Sequence, residues 1–479
     1  MNHSMVRYLL SKLLLIEAAL LVVPLIVATI YQEEATVFKA IIATQGILIL
    51  LGVIGICFKP KNYRIYTKEG LLITAMTWIL WSFFGGLPFV FAGQIPDVID
   101  AFFEISSGFT TTGATILPNV AVLSPSLMFW RSFTHLIGGM GVLVFALAIM
   151  ENSKNAHLEV MRAEVPGPVF GKVVAKLKNT AQILYIIYLV MFLIFTLVLW
   201  GLGMPLYDSL VIAMGGAGTG GFAVYNDSIA HYNSSAISYA VSIGTLLFGV
   251  NFNLYYFILV RKVKAFFSDE ELRVYLGIVL ASSAMIAINI YHLYANLSQT
   301  VEYSFFQVAT IITTTGFGIT DLTKWPLFSQ VILLMLMFIG GSAGSTAGGF
   351  KVIRAMVVAK ISRSQILSSI SPNRILTIHV NDSPLDKATQ HSILKYLSVY
   401  LMILVGLIIF LSADGKDFMI TVSAVASTFN NIGPILGTSE TFAIFSPLSK
   451  FVLSLAMIAG RLEIYPMLLL FLPRSWNKY

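Results

Sequence analysis

Four short stretches of the chain combine glycine with threonine or asparagine, residues that can offer oxygen atoms to a cation. Two are near copies, TTTGAT at 110–115 and TTTGFG at 313–318, and two are weaker, TGGF at 219–222 and NNIGP at 430–434. A ring of backbone carbonyl oxygens can replace the water shell of an ion, and glycine allows the backbone conformations that turn carbonyls inward. The pattern therefore predicts a selectivity filter for a cation.

The predicted filter consists of the glycine of each stretch and the residues just before it. These residues are Thr111, Thr112, Gly113, Thr219, Gly220, Gly221, Thr314, Thr315, Gly316, Asn431, Ile432 and Gly433. In the second stretch either Gly220 or Gly221 can be the filter glycine, and aligning the phenylalanines that follow the second and third glycines favours Gly221. The fourth stretch is less regular, because Asn431 and Ile432 replace the residue types of the others.

Composition indicates that most of the chain lies in lipid. Of its 479 residues, 57% are hydrophobic and 11% charged, whereas soluble domains carry about 25% charged residues. The net charge of +7 comes without a basic tract interleaved with aromatic residues, so nucleic-acid binding is not expected. The single cysteine, Cys57, excludes an internal disulfide and a metal cluster of cysteines.

Ten apolar stretches reach the roughly 20 residues that a helix needs to cross about 30 Å of hydrocarbon. They are 9–30, 40–58, 70–92, 128–150, 181–203, 236–260, 274–294, 327–359, 391–412 and 448–471. The first contains Lys12 and Glu17 and is too long for a signal peptide, so it is expected to remain in the mature protein.

Lysine and arginine orient these spans. The connections after even-numbered spans and both termini carry most of them, whereas the connections 93–127 and 204–235 carry none. By the positive-inside rule, both termini are predicted to be cytoplasmic and the four glycine stretches to lie toward the outside.

Spans three to ten form four copies of one unit: a span, a half-length apolar segment, a glycine stretch and a second span. One Thr-Thr-Gly tripeptide carries little weight, because glycine in a membrane chain is more often a helix contact, but four in register on one side support a shared role. Four units in one orientation can surround one axis.

The predicted fold is an all-α integral membrane protein with ten transmembrane helices. The last eight form four pseudo-repeated helix, pore-loop and helix units around a central ion pore, and an extra helix pair precedes them. The predicted domains are the N-terminal pair at 1–69 and pore units at 70–180, 181–271, 272–389 and 390–479.

Span eight is predicted to break below the filter. It holds five glycines between residues 340 and 349, and each costs a helix about 1 kcal/mol relative to alanine. This depth favours an obstruction in the ion path; the alternative is close packing of small residues between helices. The candidate gate residues are Gly344, Ser345, Thr346, Gly348, Gly349 and Lys351.

Arg461 lies midway along span ten, where a charge costs roughly 2.5 to 3.5 kcal/mol on insertion scales. Glu463 would point about 200° away around a continuous helix and would be a poor partner. Arg461 is therefore expected to form a structural ion pair with another helix or to have a role in function.

Seven motifs together resemble the TrkH/TrkG/KtrB branch of the superfamily of potassium transporters, and within it the TrkH members. They are SGFTTTGAT (107–115), WRSFTHLIGGMGV (130–142), TGGF (219–222), TTTGFG (313–318), GGSAGSTAGGFKVIR (340–354), NNIGP (430–434) and AGRLEIYP (459–466). The first two spans resemble the additional pair that TrkH has and KtrB lacks.

The resemblance implies a channel-like K⁺ uptake subunit in the bacterial plasma membrane, with K⁺ held at the filter residues. It also implies a homodimer with one pore in each protomer and a cytoplasmic nucleotide-binding regulatory partner of the TrkA type. The resemblance further implies that Arg461 faces the pore beneath the filter as a second gate residue. Relatives that prefer Na⁺ tend to carry serine at the position of Gly113, so glycine here favours K⁺. The chain has no nucleotide-binding motif of its own, and we expect it to bind no cofactor.

Two other functions are weighed against a channel-like subunit. A K⁺ symporter coupled to Na⁺ or H⁺ would be expected to have inverted repeats with broken helices meeting at the midplane, and the parallel units argue against it. A membrane enzyme would need converging histidines or carboxylates within the spans, and these are not apparent. The chain is not expected to be an enzyme.

Overall fold

The computed structural model describes residues 2–63, 65–141, 177–371, 377–381, 383–473 and 476. Helices of the N-terminal part and of the first half are α1 (His3–Leu20), α2 (Val22–Ile30), α3 (Ala35–Cys57), α4 (Thr67–Phe91), α5 (Val98–Phe109), α6 (Pro125–Gly139), α7 (Leu177–Gly201), α8 (Leu206–Gly218), α9 (Ser235–Phe248), α10 (Phe252–Leu259) and α11 (Val263–Ser268).

The second half continues with helices and one short hairpin. These elements are α12 (Glu270–Ile290), α13 (Leu297–Ile312), α14 (Leu327–Ile339), α15 (Val352–Ile370), β1 (His379–Val380), β2 (Ser383–Pro384), α16 (Lys387–Ser412), α17 (Phe418–Phe429), α18 (Pro447–Arg461) and α19 (Tyr465–Phe471). The two strands pair antiparallel.

Six helical stretches within the described ranges are long and apolar enough to cross a membrane. They are His3–Ile30, Ala35–Cys57, Lys68–Phe91, Gln182–Gly201, Glu270–Leu293 and Lys387–Ser412. These correspond to predicted spans one, two, three, five, seven and nine. Four of them open the four repeated units.

The half-length segments form short helices, as predicted. α5 and α17 have 12 residues each, α8 has 13 and α13 has 16. At 1.5 Å per residue the 12-residue helices extend about 18 Å, too short to cross the hydrocarbon. Asp97 begins α5 by accepting the Ile99 and Asp100 amide protons, at 2.8 and 3.0 Å. Each of the four ends at a glycine loop.

The second helix of the later units is interrupted. α9 and α10 bend by 90° at residues 249–251, so span 236–260 is not the single helix that was predicted. Asn251 causes this by starting a new helix, because its side-chain oxygen accepts the Asn253 amide proton at 3.0 Å. α14 and α15 are separated by the non-helical residues 340–351, which confirms the predicted break in span eight.

The prediction of one continuous helix over residues 448–471 is also wrong. α18 ends at Arg461 and α19 begins at Tyr465, because Glu463 and Ile464 adopt positive φ values of 56° and 71°. In the first unit α6 ends at Gly139, and the part of predicted span 128–150 from residue 142 onward lies outside the described residues.

The units pack in a closed cycle. The second helix of each unit contacts the short helix of the next: α6 contacts α8, α9 contacts α13, α14 contacts α17, and α18 contacts α5. The contact between α18 and α5 includes an ion pair between Lys450 Nζ and Asp100 Oδ1, which are 2.7 Å apart. The chain therefore returns to its first unit, so the four short helices surround a common axis.

Candidate functional site

The four glycine loops share one backbone pattern. A threonine or asparagine with positive φ is followed two residues later by a glycine with positive φ, in the pairs Thr111 and Gly113, Thr219 and Gly221, Thr314 and Gly316, and Asn431 and Gly433. Glycine tolerates this conformation without steric cost. The pattern identifies Gly221, not Gly220, as the counterpart of the other three glycines, in agreement with the phenylalanine alignment.

The glycines and the carbonyls before them form a ring that closes on itself. A Cβ atom added to Gly113 would overlap the carbonyl oxygen of Gly220, and one on Gly221 would overlap that of Thr315. Likewise, a Cβ on Gly316 would overlap the carbonyl of Ile432. One on Gly433 would crowd the carbonyl of Thr112, which completes the circle.

This ring brings together the predicted filter residues from all four units. Each loop offers one carbonyl to the ring, from Thr112, Gly220, Thr315 and Ile432, and each packs that carbonyl against the glycine of the preceding unit in the cycle. The less regular fourth loop offers a carbonyl in the same way as the other three, because the backbone carbonyl is present whatever the side chain is. Such a ring can replace part of the water shell of a cation.

Side-chain hydrogen bonds shape the first and third loops and join the first loop to the fourth. Thr112 Oγ1 lies 2.7 Å from Thr110 Oγ1, and the third loop repeats this contact between its first and third threonines at 2.8 Å. Asn431 donates from Nδ2 to Thr112 Oγ1 at 3.0 Å and to the Met457 carbonyl at 2.9 Å. The asparagine thus joins loops one and four.

A buried ion pair supports the first loop. Glu104 accepts from Arg131 Nε at 2.6 Å, from Thr115 Oγ1 at 2.9 Å and from the Ile116 amide at 2.9 Å. The Arg131 guanidinium lies over the Phe222 ring of unit two, 3.3 Å from its centroid. Sequence reasoning missed both charged residues. Two features of the sequence could have identified them: Glu104 is a carboxylate in a half-length apolar segment, and Arg131 is an arginine in a predicted span. Ionisable residues at membrane depth are commonly functional.

The non-helical residues 340–351, named the intramembrane loop below, are attached to unit two by hydrogen bonds. Thr346 donates hydrogen bonds from its amide and its hydroxyl to the Phe248 carbonyl of unit two, at 3.4 and 3.1 Å. Ser342 donates its amide to the Gly249 carbonyl at 3.0 Å. The break between α9 and α10 therefore supplies the carbonyls to which the intramembrane loop is attached.

The intramembrane loop also contacts the glycine loops directly. The Gly348 amide donates to Thr314 Oγ1 at 2.7 Å. A Cβ on Gly348 would overlap the Asn430 carbonyl of unit four. Lys351 donates from Nζ to the Ala347 carbonyl and is buried. Because the intramembrane loop contacts the glycine loops of units three and four and the carbonyls of Phe248 and Gly249 in unit two, it lies close to the common axis of the units.

Arg461 completes these contacts from the end of α18. It donates to the Thr346 carbonyl at 2.7 Å and to the carbonyls of Gly138 and Gly139 at 2.7 and 2.6 Å. It thus joins unit four to the intramembrane loop and to unit one. Glu463 does not lie on a continuous helix with Arg461, because α18 ends at Arg461, and it forms an ion pair with Arg354.

Comparison with known proteins places these features in a family. The TrkH family, described as cation transport protein, matches residues 37–478. The chain is 31% identical over 488 residues to the Trk system potassium uptake protein TrkH of Salmonella typhimurium, covering 100% of both chains. It is 30% identical over 459 residues to TrkG of Escherichia coli, covering 95% of this chain and 94% of the relative.

A solved structure agrees with the fold described above. The crystal structure of the potassium transporter TrkH from Vibrio parahaemolyticus matches with a TM-score of 0.89 and 30% identity, covering 100% of both chains. This similarity confirms the predicted all-α membrane fold, whereas the count of ten spans stays a prediction.

Proposed function

Because this chain belongs to the TrkH family of cation transport proteins, we propose that it is the ion-conducting subunit of a bacterial Trk-type K⁺ uptake system. The curated relatives named above are potassium uptake proteins, and the similarity extends over their full length. Membership of a transport family confirms the prediction that the chain is not an enzyme.

The observation that carries the proposal is the closed ring of four carbonyls. Thr112, Gly220, Thr315 and Ile432 come from four units of one chain, and each carbonyl faces the glycine of a neighbouring unit. The short helices end at these loops, so their partial negative charges favour a cation there. In this proposal K⁺ binds at the predicted filter residues as the transported ion, and the chain needs no cofactor.

The intramembrane loop acts as the gate in this proposal. Residues from 342 to 351 contact carbonyls or hydroxyls of units two, three and four, and Arg461 connects them to unit one. A segment attached in this way obstructs an axial path beneath the filter. The candidates Gly344, Ser345, Thr346, Gly348, Gly349, Lys351 and Arg461 are all part of this network or of the segment that forms it.

The wider setting is inferred from the family resemblance. We propose a homodimer with one pore in each protomer, in the bilayer of the bacterial plasma membrane with both termini cytoplasmic. A TrkA-type nucleotide-binding partner would act from the cytoplasm. The repeated units are assigned to 70–180, 181–271, 272–389 and 390–479, after the N-terminal pair at 1–69.

Flux into liposomes tests the transport mode. We expect purified protein to conduct K⁺ in preference to Na⁺ along the electrochemical gradient, where 100 mV contributes about 2.3 kcal/mol per charge. A K⁺ symporter coupled to Na⁺ or H⁺ is the alternative function. Accumulation of K⁺ driven only by an imposed Na⁺ or H⁺ gradient would establish that alternative, and equal Na⁺ and K⁺ fluxes would contradict the filter.

Arg461→Ala is expected to raise K⁺ flux while the fold survives. Two unit charges 4 Å apart repel by about 4 kcal/mol at an effective dielectric constant of about 20, so even a partial release of this barrier corresponds to about a tenfold rise. The described hydrogen bonds of Arg461 go to backbone carbonyls, and the substitution also loosens the intramembrane loop.

Arg354→Ala provides the contrasting variant. Arg354 pairs with Glu463, so its removal leaves a carboxylate without that partner and is expected to lower the melting temperature. Flux and melting should be measured on the same preparations. Reduced flux together with reduced melting temperature in Arg461→Ala would favour a structural role for Arg461 over the barrier.

A further inference from the structure

Glu271 is a buried carboxylate that has no part in the filter or in the gate residues named above. It is the second residue of α12 and is 5% exposed. Its Oε1 atom accepts the amide proton of Ala343 at 2.7 Å and the amide proton of Ile353 at 3.1 Å. One oxygen atom therefore joins two points of the chain ten residues apart.

One of these amides lies in the intramembrane loop and the other lies just after it. Ala343 lies within the intramembrane loop, near its beginning, and Ile353 is the second residue of α15, just after the loop ends. The N-terminus of a helix carries partial positive charge and unpaired amides, which favour a carboxylate. Hydrogen bonds to an ionised acceptor are roughly twice as strong as neutral ones. Glu271 thus ties the start of the intramembrane loop to the helix that follows it.

We propose that Glu271 is a positioning residue that holds the intramembrane loop in its closed arrangement. The proposal rests on the gating function proposed above for residues 340–351. Opening requires the loop to leave the carbonyls of Phe248 and Gly249, and the bond from Ala343 to Glu271 opposes that movement. The bond to Ile353 belongs to the helix end and keeps the carboxylate in place while the loop moves.

A direct route connects this carboxylate to the face proposed to be cytoplasmic. The two residues before it contact Asn381, which lies in the turn of the β1–β2 hairpin. Asn381 Oδ1 accepts the Glu270 amide at 2.7 Å, and its Nδ2 donates to Asp269 Oδ2 at 2.8 Å. Lys360 of α15 donates to the His379 carbonyl at 2.7 Å. A cytoplasmic partner that displaces this hairpin therefore moves the start of α12 and, with it, Glu271.

Two variants test the role of the carboxylate. Glu271→Gln keeps the shape and one oxygen acceptor but removes the charge, and Glu271→Ala removes the acceptor. We expect basal K⁺ flux without any partner to rise in both, by about tenfold or more in Glu271→Ala, since loss of hydrogen bonds to a charged group shifts a two-state equilibrium by at least that factor. The preference for K⁺ over Na⁺ should not change, because the carbonyl ring is intact.

Glu302→Gln is the matched control. Glu302 is a buried carboxylate of α13 that accepts from Ser235 Oγ at 2.7 Å and has no described contact with the intramembrane loop. Its flux should equal that of the unchanged protein. Hydrogen exchange provides a second measurement: peptides covering 340–351 should exchange faster in the Glu271 variants and not in Glu302→Gln.

The outcomes separate this proposal from the one on which it depends. If deletion of residues 342–348 raises flux while both Glu271 variants leave flux and exchange unchanged, the gate stands and the role of Glu271 is refuted. If neither the deletion nor the variants raise flux, the gate itself fails. If Glu271→Ala does not fold, the isosteric Glu271→Gln decides, and reduced flux with unchanged exchange in that variant overturns the proposal.

Discussion

Gly113→Ser is expected to lower the preference for K⁺ over Na⁺ by about 5- to 30-fold, the factor that corresponds to 1 to 2 kcal/mol. Gly113 has φ of 77°, and any Cβ there would overlap the Gly220 carbonyl of the next unit. The serine must therefore displace a ring oxygen or move its own loop. Either change makes one quarter of the ring unequal to the other three.

Gly93→Ser separates ring geometry from backbone strain. Gly93 has φ of 71° in the same unit, but a Cβ there would meet no atom within 4 Å. Both serines are strained by roughly 1–2 kcal/mol in this conformation, and only the serine at 113 disturbs the ring. Reversal potentials in mixed K⁺ and Na⁺ measure the effect, and equal selectivity in the two variants would remove Gly113 from the filter.

Deletion of residues 342–348 is expected to raise basal K⁺ flux in the absence of any partner. The deletion removes the contacts of Ser342 and Thr346 with unit two and the bond from Gly348 to Thr314. If only about 1% of molecules conduct with the intramembrane loop in place, its removal raises flux by up to about a hundredfold. Arg461 loses its carbonyl partner at Thr346 in the same variant.

The measurement is radiotracer K⁺ uptake into liposomes, alongside a melting curve of the same preparation. The two residues Gly340 and Gly341 remain, so the chain retains a flexible connection between α14 and α15. Selectivity provides the internal control, because the four ring carbonyls are not deleted. Unaltered or lower flux in a folded deletion variant would mean that the segment serves helix packing.

Several features follow from the sequence alone because they depend on local composition and spacing. The low charge content required lipid as the main solvent, and the half-length segments before each glycine stretch required short helices. Five glycines between residues 340 and 349 lower the helix propensity of this segment whatever packs against it. The four glycine stretches indicated where the loops lie because glycine adopts the positive φ found at 113, 221, 316 and 433 without steric cost.

The tertiary structure decided which distant residues meet. Glu104 with Arg131, Asn431 with Thr112, and Glu271 with Ala343 are pairs whose partners are 27 to 319 residues apart. Hydrophobic periodicity describes the faces of one helix and carries no information about such pairs.

The end of α18 at Arg461 was missed for a related reason: the local sequence there is apolar enough to continue a helix. Glu463 and Ile464, which follow the end of α18, have positive φ, and Glu463 pairs with Arg354 of α15. Removing one partner of a buried ion pair is strongly destabilising, so the turn after α18 depends on a long-range contact that local propensity does not predict.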